Sequence, residues 1–208
     1  MAKISYAITV CNELEEIKRL LPFLIKHKNN DDEIVILFDE KNGTRDVLDY
    51  LLEFNILPNV QTWRNFFEND FAAAKNRLNM YCKNEWIYQI DADEMIEAEL
   101  MQNLSEILDG NSSVDLIFVP RINIVNGITE EHIRKWKWRV NEKGWINFPD
   151  HQGRIYRNKK GIEWVGKVHE RIGGATNYTA FPNEEVYCIK HIKDIKRQER
   201  QNDYYNTL

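Results

Sequence analysis

The sequence predicts an α/β protein: a mostly parallel sheet flanked by helices, then a mixed second half and a C-terminal helix. Three observations lead there. Apolar runs of strand length alternate with helical periodicity through the first half. Two carboxylates, Asp91 and Asp93, close one of those runs. Beyond residue 110 the alternation gives way to short strands and loops.

The first run, Ile4 to Val10, follows Met1-Ala2-Lys3 directly, is too short and polar for a signal peptide, and reads as a strand. Leu14, Ile17, Leu20, Leu21, Leu24 and Ile25 then recur at helical spacing, with Pro22 expected to kink the helix. Strand Glu33 to Asp39 completes a βαβ unit. After the turn at Lys41 to Thr44, Val47, Leu48, Leu51 and Leu52 mark a second helix, and Val60 to Trp63 a short strand. A helix over residues 71 to 82 leads into strand Trp86 to Ile90, and Ile96, Leu100, Met101, Leu104, Ile107 and Leu108 mark another before Gly110. In the second half Leu116 to Arg121, Ile155-Tyr156, Ile162 to His169 and Val186 to Ile192 read as strands. A polar helix, Ile195 to Leu208, carries Lys196, Arg197 and Arg200 on its exposed part.

The 208 residues suit one domain that buries roughly 70% of its unfolded surface. No apolar run approaches the ~20 residues that span a bilayer, so no transmembrane helix is expected. Cys11, Cys82 and Cys188 are odd in number, lack CxxC spacing and lie in or beside apolar segments, which reads as reduced structural cysteines in a cytoplasm. The net charge of −5 hides an asymmetry: residues 134 to 171 hold 11 Lys plus Arg against 4 Asp plus Glu, leaving 17 against 29 elsewhere. Such a basic segment faces an anionic ligand or is a solvated surface; charge alone leaves both open. Within it, Arg134 to Arg139 alternates cations with Trp136 and Trp138. The preferred reading is a strand with both tryptophans toward the core; the other is a face that stacks bases or sugar rings.

Chemistry concentrates at Asp91-Ala92-Asp93-Glu94. Side chains alternate along a strand, so Asp91 and Asp93 leave its end on one side, roughly 7 Å apart at Cα, and their oxygens can converge on one cation. Mg²⁺ and Mn²⁺ take oxygen ligands and complete their shells with water and phosphates. The competing reading makes Asp93 the cap of the following helix. In a parallel α/β sheet the site lies beyond the strands' carboxyl ends, which also hold Asn12, Glu13 and Asp39.

Together these ordered motifs resemble family 2 glycosyltransferases of the GT-A (Rossmann-like) fold over nearly the whole chain. Ile8-Thr9-Val10-Cys11-Asn12-Glu13 resembles the family's first strand and nucleotide-binding turn, and Glu33 to Asp39 its second strand. Phe71-Ala72-Ala73-Ala74-Lys75-Asn76-Arg77 resembles the helix before the DxD strand, although Lys75 stands where Arg is common, and Glu40 to Thr44 replaces a Ser/Thr-rich turn with a second Asp. Gly153 to Arg157 and Trp164 to Glu170 resemble the acceptor-side signature. The resemblance implies residues 1–110 as a nucleotide-sugar-binding half and 111–208 as an acceptor-side half of a single domain. By it, Thr9, Asn12, Glu13 and Asp39 meet the donor nucleoside, and Lys75, Arg77 and Asp91 its diphosphate. Asp93, with Asp91 and His191, holds the metal, although His191 reads equally as a half-buried strand histidine. Glu170, beside His169, is the base, and Arg154, Trp164, Trp136 and Trp138 lie on the acceptor side. The implied chemistry is an inverting, Mn²⁺- or Mg²⁺-assisted transfer from a nucleotide sugar, a UDP-sugar by expectation. The acceptor is a cell-envelope glycan, a protein or a hydroxymethylated DNA base of a virus, with a cytoplasmic or peripheral membrane location. The sequence does not give the oligomeric state. A nucleotide- or glycan-binding protein and a nucleotidyltransferase are the alternatives. A phosphatase DxD would follow the first strand, whereas this one follows the fourth.

Overall fold

The computed structural model describes residues 1–205. Its first half alternates β1 (Ile4–Val10), α1 (Leu14–His27), β2 (Glu33–Asp39), α2 (Arg45–Glu53), β3 (Val60–Asn65), α3 (Phe71–Asn79) and β4 (Trp86–Asp91), then β5 (Glu94–Met95) and α4 (Ala98–Gly110). The second half adds β6 (Leu116–Asn126), α5 (Glu130–Trp136), β7 (Ile146–Arg157), β8 (Glu163–Val165), β9 (Arg171–Gly173), β10 (Tyr178–Ala180), β11 (Ile189–Asp194) and α6 (Ile195–Tyr205).

One sheet runs through both halves in the order β3-β2-β1-β4-β7-β6-β11-β5, with β10 beside β6. β1 to β4 are mutually parallel, β7 lies antiparallel between β4 and β6, and β11 runs parallel to β6. β1, β2 and β4 are buried almost throughout, as strands covered on both faces must be. On one face Ile17, Leu20, Leu21 and Leu24 of α1, Val47, Leu48 and Leu51 of α2, and Leu100, Met101, Leu104 and Leu108 of α4 pack over Ile4, Tyr6, Ile8, Tyr88 and Ile90. On the other, Ala72 and Leu78 of α3 and Trp164 of β8 cover Ala7, Val35, Leu37 and Ile87. Each fully buried leucine or isoleucine contributes about 1.5–3 kcal/mol relative to exposure. Register places Thr9 beside Asp91 and Val10 beside Phe38, so the carboxyl ends of the parallel strands form one rim.

Several elements differ from the sequence reading. α1 continues through Pro22 to His27. α3 ends at Asn79, where the bond from the Tyr81 amide to the Leu78 carbonyl tightens the last turn. α4 begins at Ala98 after Glu97, so Asp93 does not cap it. Residues 130–136 are helical, which overturns the strand reading of Arg134 to Arg139: Thr129 and His132 form a capping box and Lys137, at φ +55°, ends the helix. The expected strand from Ile162 to His169 is instead the first arm of a β8–β9 hairpin, because Gly166 (φ +96°) and His169 (φ +56°) turn the chain. β7 extends nine residues upstream of Ile155-Tyr156 along with its polar stretch Asn147 to Gln152. The part of the terminal helix expected beyond Tyr205 lies outside the described residues. Among those described, no helix is long and apolar enough to cross a membrane.

Candidate functional site

A cleft of about 1440 Å³ opens beyond the carboxyl ends of β1, β2 and β4, and Thr9, Asn12, Glu13, Asp39, Lys75, Asp91, Asp93, Glu170 and His191 all line it.

The two DxD carboxylates face different partners. Asp91 Oδ2 accepts from Arg154 Nη2 at 2.8 Å, and its Oδ1 lies 3.4 Å from Lys75 Nζ. Burial opposes ionisation of Asp91, but the Arg154 and Lys75 charges outweigh it and hold the carboxyl well below its usual range. The same Arg154 nitrogen donates to Glu94 Oε1 at 2.7 Å, while Glu94 Oε2 accepts from the Asp91 amide at 3.0 Å. Glu94, with a fully buried side chain, thus clamps both Asp91 and its counter-ion. Arg121 adds a second guanidinium, 3.2 Å from Glu94 Oε1 and paired through two nitrogens with Asp150 Oδ2.

Asp93 turns the other way, to His191 Nε2 at 3.2 Å. Asn123 Nδ2 donates to Asp150 Oδ2 at 2.9 Å, which leaves its Oδ1 facing His191 Nδ1 at 2.9 Å. The network therefore assigns the Nδ1 proton, and in neutral His191 the Nε2 lone pair points at a carboxylate oxygen. Two acceptors at that distance need a cation between them, either a proton or a metal. Burial pushes the Asp93 carboxyl up, but the His191 hydrogen bond and charge bring it down to about 2. No group of three or more His, Cys, Asp or Glu side chains placed to hold a metal ion is present among the described residues. The donor set fits Mn²⁺ or Mg²⁺ only if Asp93 and His191 supply the protein ligands and a diphosphate and water the rest. Asp91, expected as a metal ligand, pairs in this structure with Arg154 and Lys75.

Lys75 joins this rim to the hairpin. Its Nζ donates to Glu170 Oε1 at 2.8 Å and lies 4.5 Å from the Trp164 ring centroid. Asn76 binds both the amide and the carbonyl of Trp164 at 2.8 Å, and Trp164 Nε1 donates to Tyr156 Oη at 2.9 Å, so α3 fixes the hairpin. The left-handed backbone at His169 turns Glu170 inward; His169 itself is exposed at the rim.

At the opposite end, Glu13 Oε2 accepts the amides of Cys11 at 2.7 Å and Asn12 at 3.0 Å, which shapes the turn after β1. Asp39 Oδ1 accepts the Lys41 amide at 2.9 Å, and its Oδ2 accepts Asn42 Nδ2 at 2.8 Å. Both carboxylates are therefore already engaged by backbone or turn side chains.

Arg77 is exposed and absent from the cleft lining: two residues past Lys75 a helix has turned about 200°, to its opposite side. Trp138 lines the cleft, and Trp136 packs behind it, ring centroids 4.7 Å apart. Arg154 is almost wholly buried, pairs through Nη2 with Asp91 and Glu94, and lines the cleft. Sequence reasoning missed the roles of Glu94, in the short strand β5, and of Arg121 and Asn123 on β6 and Asp150 on β7, polar residues that pair across strands. It also placed Arg197 in solvent, whereas Arg197 lines the cleft.

The family model described as glycosyl transferase family 2 matches residues 5–187. Among curated proteins, the SPbeta prophage-derived glycosyltransferase SunS of Bacillus subtilis is 28% identical over 170 residues, 80% of this chain and 34% of that protein. The chain thus spans about a third of that relative's length. An uncharacterized glycosyltransferase of Rickettsia prowazekii is 23% identical over 218 residues, 95% of this chain and 70% of that one. Among solved structures, S. aureus TarS in complex with UDP-GlcNAc superposes with a TM-score of 0.66 at 15% identity, covering 92% of this chain and 58% of that one. The Pyrobaculum calidifontis mannosyltransferase PcManGT, in complex with GDP-Man and Mn²⁺, gives 0.50 at 15% identity over 58% of this chain and 36% of that one. At these identities the structural likenesses establish the fold.

Proposed function

The chain belongs to glycosyl transferase family 2, and from that premise we propose that it transfers a glycosyl group from a nucleoside-diphosphate sugar to an acceptor hydroxyl, with inversion at the anomeric carbon. The observation that carries the reading is Asp93 facing His191 in the cleft that also holds Glu170. The names of the relatives support the transfer, and neighbours bound to UDP-GlcNAc and to GDP-Man with Mn²⁺ support the donor class.

Asp93 and His191 would hold a divalent cation, whose chemistry is to neutralise charge on the departing diphosphate. Glu13, Asp39, Thr9 and Asn12 border the nucleoside end. Lys75 keeps Glu170 and Asp91 in fixed relation beneath the reacting centre. The acceptor oxygen bonds to the anomeric carbon as the bond to the diphosphate oxygen breaks. The electron pair leaves with the diphosphate, and the hydroxyl proton passes to Glu170. Trp138, with Trp136 packed against it, offers an apolar face to the acceptor, buried Trp164 supports Lys75 beneath it, and the basic segment 134–171 favours an anionic acceptor. A cell-envelope glycan, a protein side chain or a modified DNA base all present the required hydroxyl. A cytoplasmic setting, with or without peripheral membrane contact, suits its three free cysteines.

The test is calorimetric titration of UDP and GDP with Mn²⁺, with Mg²⁺ and in chelator, then a screen of UDP-sugars and GDP-mannose for diphosphate release. Binding of one nucleotide only when the cation is present supports the reading. Binding of neither under any condition overturns it.

A further inference from the structure

Arg197, in the first turn of α6, reaches back across the cleft to carboxylates from three places in the fold. It pairs with Glu16 of α1, with Glu13 Oε1 at 3.2 Å in the turn after β1, and with Asp93 Oδ2 at 3.5 Å beyond β4. The oxygen it meets on Asp93 is the one that faces His191 Nε2. Lys193, four residues earlier and nearly buried, also lines the cleft, with Nζ 2.6 Å from Gln201 Oε1 of α6. Both cations lie past residue 187, where the family match ends.

We propose that Arg197 is a ligand of the leaving diphosphate, exchanging Asp93 for phosphate oxygens when a cation occupies Asp93 and His191, with Lys193 as a second positive charge beside it. The proposal rests on the donor class given above. Three carboxylates around one guanidinium make this end of the cleft repulsive to a diphosphate while Arg197 stays bound to them. A cation on Asp93 would both compensate that charge and repel Arg197 from the shared oxygen, turning its fork outward. A guanidinium presents paired N–H donors that match two phosphate oxygens, which an ammonium cannot do. As the bond from anomeric carbon to diphosphate oxygen breaks, the electron pair arrives on an oxygen that Arg197 can neutralise, while the acceptor's proton goes to Glu170. A guanidinium locked into a purely structural cross-link would show none of this exchange.

The test uses the full chain and two readouts besides turnover: titration of UDP and pyrophosphate in Mn²⁺, and titration of Mn²⁺ alone. Arg197→Ala should weaken UDP and pyrophosphate about 10- to 100-fold, the range of charge-assisted hydrogen bonds, while Mn²⁺ alone binds as tightly or more tightly. Arg197→Lys, which keeps charge but loses the fork, should fall between. Glu16→Gln should release Arg197 and tighten pyrophosphate several-fold, and it decides the matter if the alanine variant does not fold. Parental pyrophosphate affinity in a folded Arg197→Ala, or no tightening in Glu16→Gln, overturns the proposal while leaving the donor reading intact. Failure of the parent to bind UDP or pyrophosphate in Mn²⁺ overturns both.

Discussion

Asn123 determines which nitrogen of His191 faces Asp93: its amide is oriented by Asp150, and its oxygen accepts from Nδ1 at 2.9 Å. Removing that acceptor frees the ring to flip or to protonate Nε2. Asn123→Leu is therefore expected to weaken Mn²⁺-dependent nucleotide binding about 10- to 100-fold, the usual cost of losing such an outer partner. Calorimetry in Mn²⁺ and in chelator measures it. An unchanged difference between the two would remove His191 from the metal site.

Asp91 and Asp93 should fail differently when neutralised. Asp91→Asn leaves Arg154 and Lys75 short of a counter-charge, a loss of about 1–3 kcal/mol once partial exposure of the Asp91 side chain is discounted. Its main effect should be a lower urea midpoint. Asp93→Asn also gives up the pairing with His191 and Arg197, so it too should lose stability, but it alone should abolish the cation-dependent part of donor binding. Loss of that cation-dependent part in Asp91→Asn, or its survival in Asp93→Asn, would contradict this division of labour.

The strongly periodic elements were legible in the sequence because one physical signal determines each of them. β1, β2 and β4 are continuous apolar runs, and α1, α2 and α4 carry apolar stripes that a two-faced parallel sheet must bury. The DxD rim could be read because strand ends converge in such sheets, whereas Glu170 and His191 were singled out only through the resemblance to the family. The α5 helix was hidden because Trp136 and Trp138 flank a left-handed Lys137 and mimic period two. The hairpin turn depends on positive φ at His169, a residue type that gives no local sign of it. Arg197 was misplaced since a polar helix shows no inward face until the carboxylates it meets are positioned by distant parts of the chain.

Asp115, away from the cleft, should govern part of the acid stability. Its carboxylate accepts from Lys159 Nζ at 2.6 Å, Thr176 Oγ1 at 2.9 Å and the Thr176 and Asn177 amides at 3.0 and 3.3 Å. The Lys159 bond first, then those of Thr176, hold the carboxyl far below its usual range. A depressed folded value contributes stability above the unfolded carboxyl range, about pH 4, and that contribution fades as pH falls through the folded value. Asp115→Asn should therefore lower the unfolding free energy from urea titration by about 1–3 kcal/mol at pH 7 and by less at pH 3, with nucleotide binding unchanged. A gap that widens in acid would reverse the assigned sign.

Glu170 is expected to act as the general base, and its contact with Lys75 makes the prediction specific. The ammonium 2.8 Å away holds Oε1 and aims the group, so the proton is accepted on the second oxygen when that oxygen is open to the acceptor. Glu170→Gln preserves shape and the hairpin but removes the proton acceptor. It should lower kcat about 10²- to 10⁴-fold with donor KM nearly unchanged, because the interaction matters mainly in the transition state. Lys75→Met should lose both terms, since it releases Glu170 and leaves Asp91 with Arg154 alone. His169→Ala is the control: its side chain is exposed at the rim, so activity should survive. If His169→Ala is inactive while Glu170→Gln transfers sugar near the parental rate, the base lies one residue earlier. If the product retains the donor's anomeric configuration, by NMR of the new linkage, direct displacement assisted by Glu170 is excluded whichever residue takes the proton.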